Sequence, residues 1–409
     1  MKKYLISKDK SIKMKKSMFV TTRILENGGA ILFCPDSEQG RMCYFEPKEF
    51  ELWEANRLEE LLKHPNMNLL LEGRFLVPED ENQIEIQRQL REEEALKREK
   101  DCISFTITPT LFCNARCEYC FQNGVTQNRM NEDTMKSVIN FIKSISSRYG
   151  AKKVNIRWFG GEPLLEQQII KYVSYELINH FGRENYTASI TTNGSLITDD
   201  VLDLFYCCNI FDVQITLDGL ENKYNQIKNY YNNKNNFSSV CKNIEKCLQR
   251  EIFVCIRLNI SKTNCDEIML LIDYLDEKFK SYKDFGLFTI SPSTVSGSKD
   301  DCSLLSYRSE EIRLILGNIY EKLYELEYDV LDLGQVGTIC DAYRYHSYFI
   351  DPDGDIYRCD RLIGKKQHSI GNVYEGIKIS DTELLSCLTQ KLPEKCNSCK
   401  ILPMCQGGC

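Results

Sequence analysis

The sequence lacks the long hydrophobic runs of membrane proteins. No stretch approaches the roughly 18 consecutive apolar residues that a membrane-spanning helix needs, and the apolar runs are short, such as Ile268–Ile272. The N-terminal sequence MKKYLISKDKSIKMKKSMF is basic but has no apolar core region, so it does not have the form of a secretory signal. These absences argue against membrane insertion and export, and we expect a cytoplasmic protein with no membrane partner.

An excess of positive charge is also missing. The chain has 52 Lys and Arg against 59 Asp and Glu, which gives a formal net charge of -7. A broad basic surface is therefore not expected, and nucleic acid is not an expected partner. Histidine is scarce, with 4 residues, which argues against a His-rich zinc enzyme and points to thiolates for any bound metal.

Cysteine, by contrast, is abundant, with 20 residues in a chain of 409. A dense disulfide framework belongs to small secreted proteins, whereas a large chain in a reducing compartment uses clustered cysteines to bind metal. Hydrophobic residues make up 42% and charged residues 27%, which is the balance of a folded globular protein. The length predicts two or three domains.

Residues 1–95 read as a small α+β domain followed by its linker. The segments FVTTRIL, GAILFC and RMCYF have the pattern of strands, and a helix is predicted over 47–63. The segment LLLEGRFLVPED resembles the wing and exit of a small winged-helix domain. Residues 78–101 are dense in charge, which predicts a solvated, partly helical linker at a domain boundary.

Strands and helices alternate from Cys102 onward. The predicted strands are CISFTIT, KVNIRWF, YTASITT, FDVQITL, FVCIRLNI and FGLFTIS. Six β–α units predict a parallel sheet with right-handed crossovers, and six are too few to close the eight-unit TIM barrel. We therefore predict an α/β fold with a partial (β/α)6 TIM-like barrel over 102–330, whose catalytic residues lie at the C-terminal ends of the strands. Residues 334–409 read as a third, loop-rich domain.

Three cysteines follow the first barrel strand with the spacing Cys113-x3-Cys117-x2-Cys120. Three thiolates can bind three irons of a 4Fe–4S cluster and leave the fourth iron open for an outside ligand. The same spacing would be found in a zinc knuckle that lacks one ligand. It would also be found if the three cysteines had no common role. The position after the first strand of a β/α domain, where this fold has its active site, favours the cluster.

On these residues the sequence resembles the radical S-adenosylmethionine (SAM) superfamily. The resemblance extends to GGEP after the second strand, TNG after the third, TLDG after the fourth and an Arg-x-Asn pair on the fifth, in that order. It implies that the GGEP segment contacts the methionine amino group of SAM. The implied SAM contacts are Tyr119, Gly160, Gly161, Glu162, Pro163, Thr192, Asn193, Thr216, Arg257 and Asn259.

One part of the family's pattern is missing. Relatives often carry His-Asp-x-x-Arg after the TLDG segment, whereas this chain reads Tyr224-Asn225-Gln226-Ile227-Lys228. The resemblance therefore does not assign Lys228 to the carboxylate of SAM. It does imply the superfamily's chemistry, in which reductive cleavage of SAM yields a 5′-deoxyadenosyl radical that abstracts hydrogen from the substrate.

The C-terminal cysteines resemble the SPASM extension, which binds two auxiliary 4Fe–4S clusters. The resemblance implies that Cys340, Cys359 and Cys409 bind the first cluster, and that Cys396, Cys399, Cys405 and a later Cys bind the second. The sequence ends at Cys409, so a longer native chain and an incompletely ligated second cluster both remain open. A structural zinc site at Cys396, Cys399, Cys405 and Cys409 is the rival interpretation.

Asp360 directly follows Cys359. In anaerobic sulfatase maturases, which this region resembles, an Asp at this place is the catalytic base that deprotonates the substrate side chain. The alternative is an Asp that only makes hydrogen bonds beside a cluster loop.

The N-terminal domain is similar to the leader-recognition element of ribosomal-peptide maturases, which pairs an extended leader peptide with a sheet edge. The leading hypothesis is therefore a radical SAM/SPASM maturase that crosslinks a precursor peptide, often as a Cys thioether, with ferredoxin or flavodoxin as reductant. One alternative is a sulfatase maturase that forms formylglycine from Cys or Ser. Another is a non-catalytic thiol-rich protein with structural zinc. The N-terminal domain could also be only a structural cap on the barrel.

Overall fold

The computed structural model of the chain describes residues 13–37, 42–61, 63, 67–96, 102–231, 236–295, 309–328, 340–378 and 392–407. These residues form two compact units. The N-terminal unit contains the described parts of 1–97, 331–344 and 388–409, and the barrel unit contains those of 98–330 and 345–387. Among the described helices, none combines the length and the hydropathy that crossing a lipid bilayer requires.

The N-terminal unit is a small α+β fold, in agreement with the class expected from the sequence. A three-stranded antiparallel sheet has the order β2-β3-β4, and β1 pairs antiparallel with β5. The elements are β1 (Met14–Lys16), β2 (Thr21–Ile24), β3 (Ala30–Phe33), β4 (Met42–Phe45), α1 (Pro47–Glu54), α2 (Leu58–Leu61), α3 (Met67–Glu72), β5 (Leu76–Pro78) and α4 (Gln83–Leu96).

Two local predictions for this unit are only partly right. The single helix predicted over 47–63 is two helices, because Asn56 between them adopts the left-handed conformation at φ 56°. The segment expected to resemble a wing begins inside helix α3, and its strand β5 pairs with β1.

The expectation of a solvated, partly helical linker holds for the exposed face of helix α4 and is wrong for its other face. Its Gln83, Gln87 and Arg91 side chains are buried. Gln83 accepts a hydrogen bond from the Met18 amide at 3.0 Å and donates one to the Ser17 hydroxyl at 2.7 Å. A helix rich in charge therefore packs through this face, because the buried amide of Gln83 is paired within the unit.

The barrel unit contains the six predicted β–α units. Its parallel strands run in the order β6-β7-β8-β9-β10-β11, as expected for a partial barrel. The elements are β6 (Cys102–Ile107), α5 (Glu132–Tyr149), β7 (Lys153–Trp158), α6 (Gln167–Phe181), β8 (Tyr186–Thr192), α7 (Asp199–Cys207), β9 (Ile210–Thr216), α8 (Glu221–Lys228), α9 (Phe237–Gln249), β10 (Phe253–Ile260), α10 (Ile268–Asp284), β11 (Phe288–Thr294) and α11 (Ser309–Glu325). Of these, α8 was not predicted from the sequence.

The barrel strands present one apolar and one polar face. In β10, the side chains of Val254, Ile256 and Leu258 are buried in the hydrophobic core with the apolar faces of the helices. The alternate residues Arg257 and Asn259 are only partly buried. This period of two means that the face opposite the helices is polar and available to ligands.

Part of the C-terminal region extends the barrel sheet. Strand β12 (Ser347–Ile350) pairs parallel with β6, and β13 (Asp355–Tyr357), β14 (Gly371–Asn372) and β15 (Gly376–Ile377) follow in antiparallel order. Residues 392–407, with helix α12 (Leu402–Cys405), belong instead to the N-terminal unit. The loop-rich region predicted as one domain is thus divided between two units, while the functional roles given to the three predicted domains stay predictions.

Candidate active site

The cysteine loop follows the C-terminal end of β6, where the sequence analysis placed it. The Cys120 amide donates to the Cys117 carbonyl at 3.1 Å, which closes a tight turn between the two cysteines. The Arg116 amide donates to the Lys228 carbonyl at 2.9 Å, and the Tyr231 amide donates to the Asn114 carbonyl at 3.1 Å. The backbone at the C-terminal end of α8 and just after it therefore holds the loop.

The loop thiols are crowded and partly buried. Burial and the nearby Glu162 carboxylate raise the pKa of the Cys113 thiol to about 12, and Cys117 and Cys120 contribute to this rise. Burial also raises the pKa of the Cys117 thiol. Thiolates in such a place need positive charge beside them, and iron would supply it.

Within the described part of the chain, no three His, Cys, Asp or Glu side chains converge as ligands of one metal ion. In a 4Fe–4S cluster each thiolate binds a different iron, so three cysteines of this loop would suffice to hold one.

The two glycines of GGEP lie against the cysteine loop. The Gly161 amide donates to the Thr110 carbonyl at 3.1 Å, and the Glu162 amide donates to the Phe112 carbonyl at 2.8 Å. A Cβ on Gly161 would lie 2.1 Å from the Phe112 oxygen, and one on Gly160 would lie 2.5 Å from the Thr110 oxygen. Only glycine permits this approach of two backbones, so the motif does more than form a turn.

Glu162 joins the ends of two neighbouring strands. Its carboxylate is completely buried and accepts hydrogen bonds from the Thr192 hydroxyl and the Asn193 amide, both at 2.8 Å. It also accepts from the Leu164 amide at 3.1 Å. Burial raises the pKa of Glu162 despite these donors. The GGEP and TNG segments therefore form one connected structure.

Asn193 extends this connection to the cysteine loop. Its side-chain amide donates to the Asn114 side-chain oxygen at 2.7 Å and lies 4.0 Å from the Cys113 sulfur. Asn114 in turn donates to the Ser195 hydroxyl at 2.9 Å. The sequence analysis did not single out Asn114 or Ser195, because polar residues in a loop give no specific signal.

Lys228 lies at the centre of a buried ionic network. Its ammonium is 2.8 Å from the Asp218 carboxylate, 2.8 Å from the Tyr119 hydroxyl and 2.7 Å from the Thr216 hydroxyl. The side chains of Lys228 and Asp218 are 2% and 0% exposed. An ammonium has three donors, and all three are used here. Lys228 therefore has none left for the carboxylate of SAM.

The same network fixes Tyr119 inside the cysteine loop. The Tyr119 hydroxyl donates to Asp218 and accepts from Lys228 and from the Asn259 side-chain amide, the last at 3.2 Å. Burial alone would lower the pKa of Lys228, but the Asp218 carboxylate together with Tyr119, Cys117 and Tyr224 outweighs it, and the pKa is raised well above its usual value. Tyr119, Thr216 and Asn259, which were predicted to contact SAM, are brought together here.

Arg257 is a partly buried cation at the same end of the sheet. Its guanidinium donates to the Ser293 hydroxyl at 2.5 Å and approaches the Asn259 side-chain oxygen at 3.4 Å. Burial lowers the pKa of Arg257, and the neighbouring Arg361 adds to the effect. No carboxylate of the described residues contacts Arg257, so the group is suited to bind an anion.

Asp360 lies at the C-terminal end of β7. Its carboxylate is 3.8 Å from the guanidinium of Arg157, which is on that strand. The guanidinium of Arg361 lies 5.2 Å from the ring of Phe121, which follows Cys120. The structure therefore places Asp360 beside the cysteine loop and on the side of the sheet that carries the site.

The auxiliary cysteines are distributed over both units. Cys359 belongs to the barrel unit, whereas the N-terminal unit contains Cys340, Cys396, Cys399 and Cys405. Cys409 lies outside the described residues, as does Cys387. The two auxiliary ligand sets and the individual SAM contacts therefore stay predictions.

Comparison with known proteins identifies the barrel. Residues 107–293 match the family model of the Radical SAM superfamily. The chain carries a radical SAM domain. The resemblance found in the sequence is thus confirmed, and the enzyme's cofactors are a 4Fe–4S cluster and SAM. The interpretation as a non-catalytic zinc protein is wrong, because the barrel matches the family model of the Radical SAM superfamily, whose members are enzymes.

Similar proteins narrow the type of radical SAM enzyme. The serine-type anaerobic sulfatase-maturating enzyme of Klebsiella aerogenes is 24% identical over 314 residues, which are 73% of this chain and 76% of that protein. The radical SAM cyclopropyl synthase TigE of Paramaledivibacter caminithermalis is 27% identical over 253 residues, which are 54% of this chain and 52% of that protein. The chain is thus a radical SAM enzyme of the sulfatase-maturase or peptide-modifying type.

Solved structures share the fold. The structure of anSMEcpe with bound AdoMet has a TM-score of 0.60 at 19% identity. The aligned region covers 75% of this chain and 89% of the anSMEcpe chain. The structure of Streptococcus suis SuiB bound to S-adenosylmethionine has a TM-score of 0.54 at 16% identity and covers 97% of this chain and 95% of its own.

Proposed function

We propose that the enzyme is a radical SAM/SPASM maturase that installs a crosslink, a thioether at Cys, in a ribosomally made precursor peptide. The proposal rests on the share of the chain that has the same fold as SuiB. SuiB matches 97% of this chain, so the N-terminal residues take part in that match, whereas anSMEcpe matches 75%. SuiB has also been solved with its precursor peptide SuiA.

The N-terminal unit offers a surface for a leader peptide. Among the described strands, β4 has a partner on one side only, which is β3. Its Met42 and Tyr44 side chains are 64% and 45% exposed. An extended peptide can add to such an edge through backbone hydrogen bonds, while exposed apolar side chains provide contacts for its residues.

The barrel unit supplies the residues for the chemistry. The cluster and SAM, when bound, provide the radical that abstracts hydrogen from the substrate, and ferredoxin or flavodoxin supplies the electron. Cys113, Cys117 and Cys120 hold the cluster. Arg257 binds an anionic group of SAM, and Asp360, beside Arg157, takes the proton of the substrate thiol.

The proposal is tested with the anaerobically reconstituted enzyme, SAM and a chemical reductant. Two synthetic substrates are compared: a precursor peptide with leader and Cys-containing core, and a peptide with the Cys motif of sulfatases. We expect the precursor peptide to lose the mass of two hydrogen atoms, one taken up in 5′-deoxyadenosine and the other leaving as the thiol proton and an electron that an auxiliary cluster accepts. Neither change is expected from the Cys113→Ala/Cys117→Ala/Cys120→Ala variant. If formylglycine formed in the sulfatase peptide while the precursor peptide stayed unchanged, the result would support a sulfatase maturase instead.

Replacing Asp360 with Asn is expected to lower the rate of peptide modification by about 100- to 10,000-fold, the usual effect of a lost general base. The Cys359 thiol donates to the Asp360 carboxylate at 3.6 Å, so iron content is measured in this variant and in the control. SAM binding should not change, because Asp360 contacts none of the Cys113, Cys117 and Cys120 thiols. Asp353→Asn, at an exposed turn of the same region, is the matched control. Modification rates of the two variants are measured by mass spectrometry, and equal rates would rule out the base role.

A further inference from the structure

Helix α8 and the cysteine loop are joined at two places beside Cys117. The Lys228 carbonyl accepts a hydrogen bond from the amide of Arg116, the residue before Cys117, at 2.9 Å. The Lys228 ammonium donates to the hydroxyl of Tyr119, which lies between Cys117 and Cys120 in the chain, at 2.8 Å. It also lies 5.5 Å from the centre of the Tyr119 ring. Lys228 therefore brings a positive charge to the part of the loop that carries two of the three cluster thiols.

This charge is fixed in place and shielded from water. The Lys228 and Asp218 side chains are 2% and 0% exposed. The ammonium lies 2.8 Å from the Asp218 carboxylate and donates to the Thr216 hydroxyl at 2.7 Å. Buried charges are screened by salt and solvent much less than exposed ones. The cysteine loop therefore lies beside a permanent, immobile ion pair.

The two charges of this pair do not act equally on Cys117. Burial raises the pKa of the Cys117 thiol. Among the neighbouring charged groups, Lys228 has the largest effect and lowers this pKa, whereas Asp218 has a smaller effect that raises it. The positive member of the pair therefore dominates at this sulfur.

We propose that the Lys228–Asp218 pair raises the reduction potential of the 4Fe–4S cluster of the cysteine loop (the SAM cluster), with Lys228 as the dominant charge. One-electron reduction adds negative charge to the cluster, and a nearby positive charge stabilises the reduced form. Local charge, hydrogen bonds and solvent exposure are the means by which a protein sets such a potential. Lys228 thus makes electron transfer from the reductant more favourable. This role does not depend on which peptide the enzyme modifies.

The test is a potentiometric titration of the full chain, reconstituted anaerobically, without SAM, and followed by electron paramagnetic resonance. The signal of the SAM cluster is the part that the Cys113→Ala/Cys117→Ala/Cys120→Ala variant lacks. In Lys228→Met, we expect the ratio of reduced to oxidised SAM cluster at a fixed potential to fall at least about tenfold, which is about 59 mV for a one-electron couple. In Asp218→Asn the ratio should rise, because the charge that remains is positive.

Shifts in opposite directions distinguish an electrostatic role from a structural one, since damage to the loop would not change sign with the charge removed. In Lys228→Met/Asp218→Asn, the potential should lie between those of the two single variants. Lys223→Met is the matched control, because Lys223 is on the same helix and pairs with the exposed carboxylate of Asp266. Its SAM cluster should have the wild-type potential.

Iron and sulfide are counted in each preparation to confirm that the SAM cluster is present. An absent shift, or a shift of the wrong sign, in either single variant would overturn the proposal. If Lys228→Met assembles no SAM cluster, Asp218→Asn decides alone. A raised potential in that variant would support the electrostatic role, and an unchanged or lowered one would overturn it.

Discussion

Replacing Lys228 with Met is expected to lower the free energy of unfolding of the barrel unit by about 3–5 kcal/mol. The variant leaves the Asp218 carboxylate buried without its cation, 2.8 Å from where the ammonium was. It also removes one donor each from Tyr119 and Thr216. Removing a partner from a buried pair costs far more than the pair contributes when intact, because the remaining charge is desolvated.

The protein provides a selective probe for this measurement. It has 2 Trp residues, of which Trp53 lies in the N-terminal unit and Trp158 is fully buried in the barrel. In a Trp53→Phe background, denaturant unfolding followed by fluorescence therefore reports the barrel alone.

Two further variants distinguish the effect of an unpaired buried charge from a general loss of stability. Lys223 is on the same helix and is 3.4 Å from the exposed carboxylate of Asp266, so Lys223→Met should cost less than about 1 kcal/mol. The double variant Lys228→Met/Asp218→Asn should recover most of the lost stability, because no charge remains buried. Equal effects of Lys228→Met and Lys223→Met would contradict the network.

Replacing Gly161 with Ala is expected to abolish assembly of the SAM cluster, with a loss of about four irons per chain. The added Cβ would lie 2.1 Å from the Phe112 oxygen and 2.7 Å from the Leu111 oxygen, both backbone atoms of the segment that leads to Cys113. The two segments must separate, which breaks the hydrogen bonds that hold the loop. Iron and sulfide analysis after anaerobic reconstitution measures the effect.

Gly317→Ala is the matched control for this change. Gly317 lies in helix α11, is exposed, and has no atom within 4 Å of the position of an added Cβ. Alanine is favoured over glycine in a helix by roughly 0.5–1 kcal/mol, so this variant should keep all its iron and gain stability. Full iron content in Gly161→Ala would show that the contact between GGEP and the cysteine loop does not support the cluster.

The barrel could be predicted from the sequence because strands and helices alternate and the first four strands are each followed by a recognisable motif. Strand β10 also alternates Val254, Ile256 and Leu258 with polar residues. The motifs at the strand ends then converge by topology alone, since the C-terminal ends of parallel strands meet at one edge.

Other features depend on contacts that sequence spacing does not reveal. Strand β12 has only four residues, and its parallel pairing with β6 joins positions more than two hundred residues apart. Helix α4 reads as a charged linker, and only its partners Ser17 and Met18 explain the burial of Gln83.

The role of Lys228 also lay beyond the sequence. The missing family arginine showed that this position departs from the pattern, but it could not show where the ammonium points. Its three partners come from the cysteine loop and from the end of β9 and the segment that follows it. Such a network is visible only once these segments are placed in space.

The N-terminal unit contains residues from both ends of the chain. This has a consequence for the order of folding during translation. Ribosomal synthesis delivers the strands around Phe19 and Phe45 first, yet the Leu392 and Leu402 side chains that complete their core emerge only after the whole barrel. Domains usually fold as they emerge, beginning at the N-terminus. Here the first residues made reach their final packing last, so a nascent chain acquires a folded barrel before its N-terminal unit is complete.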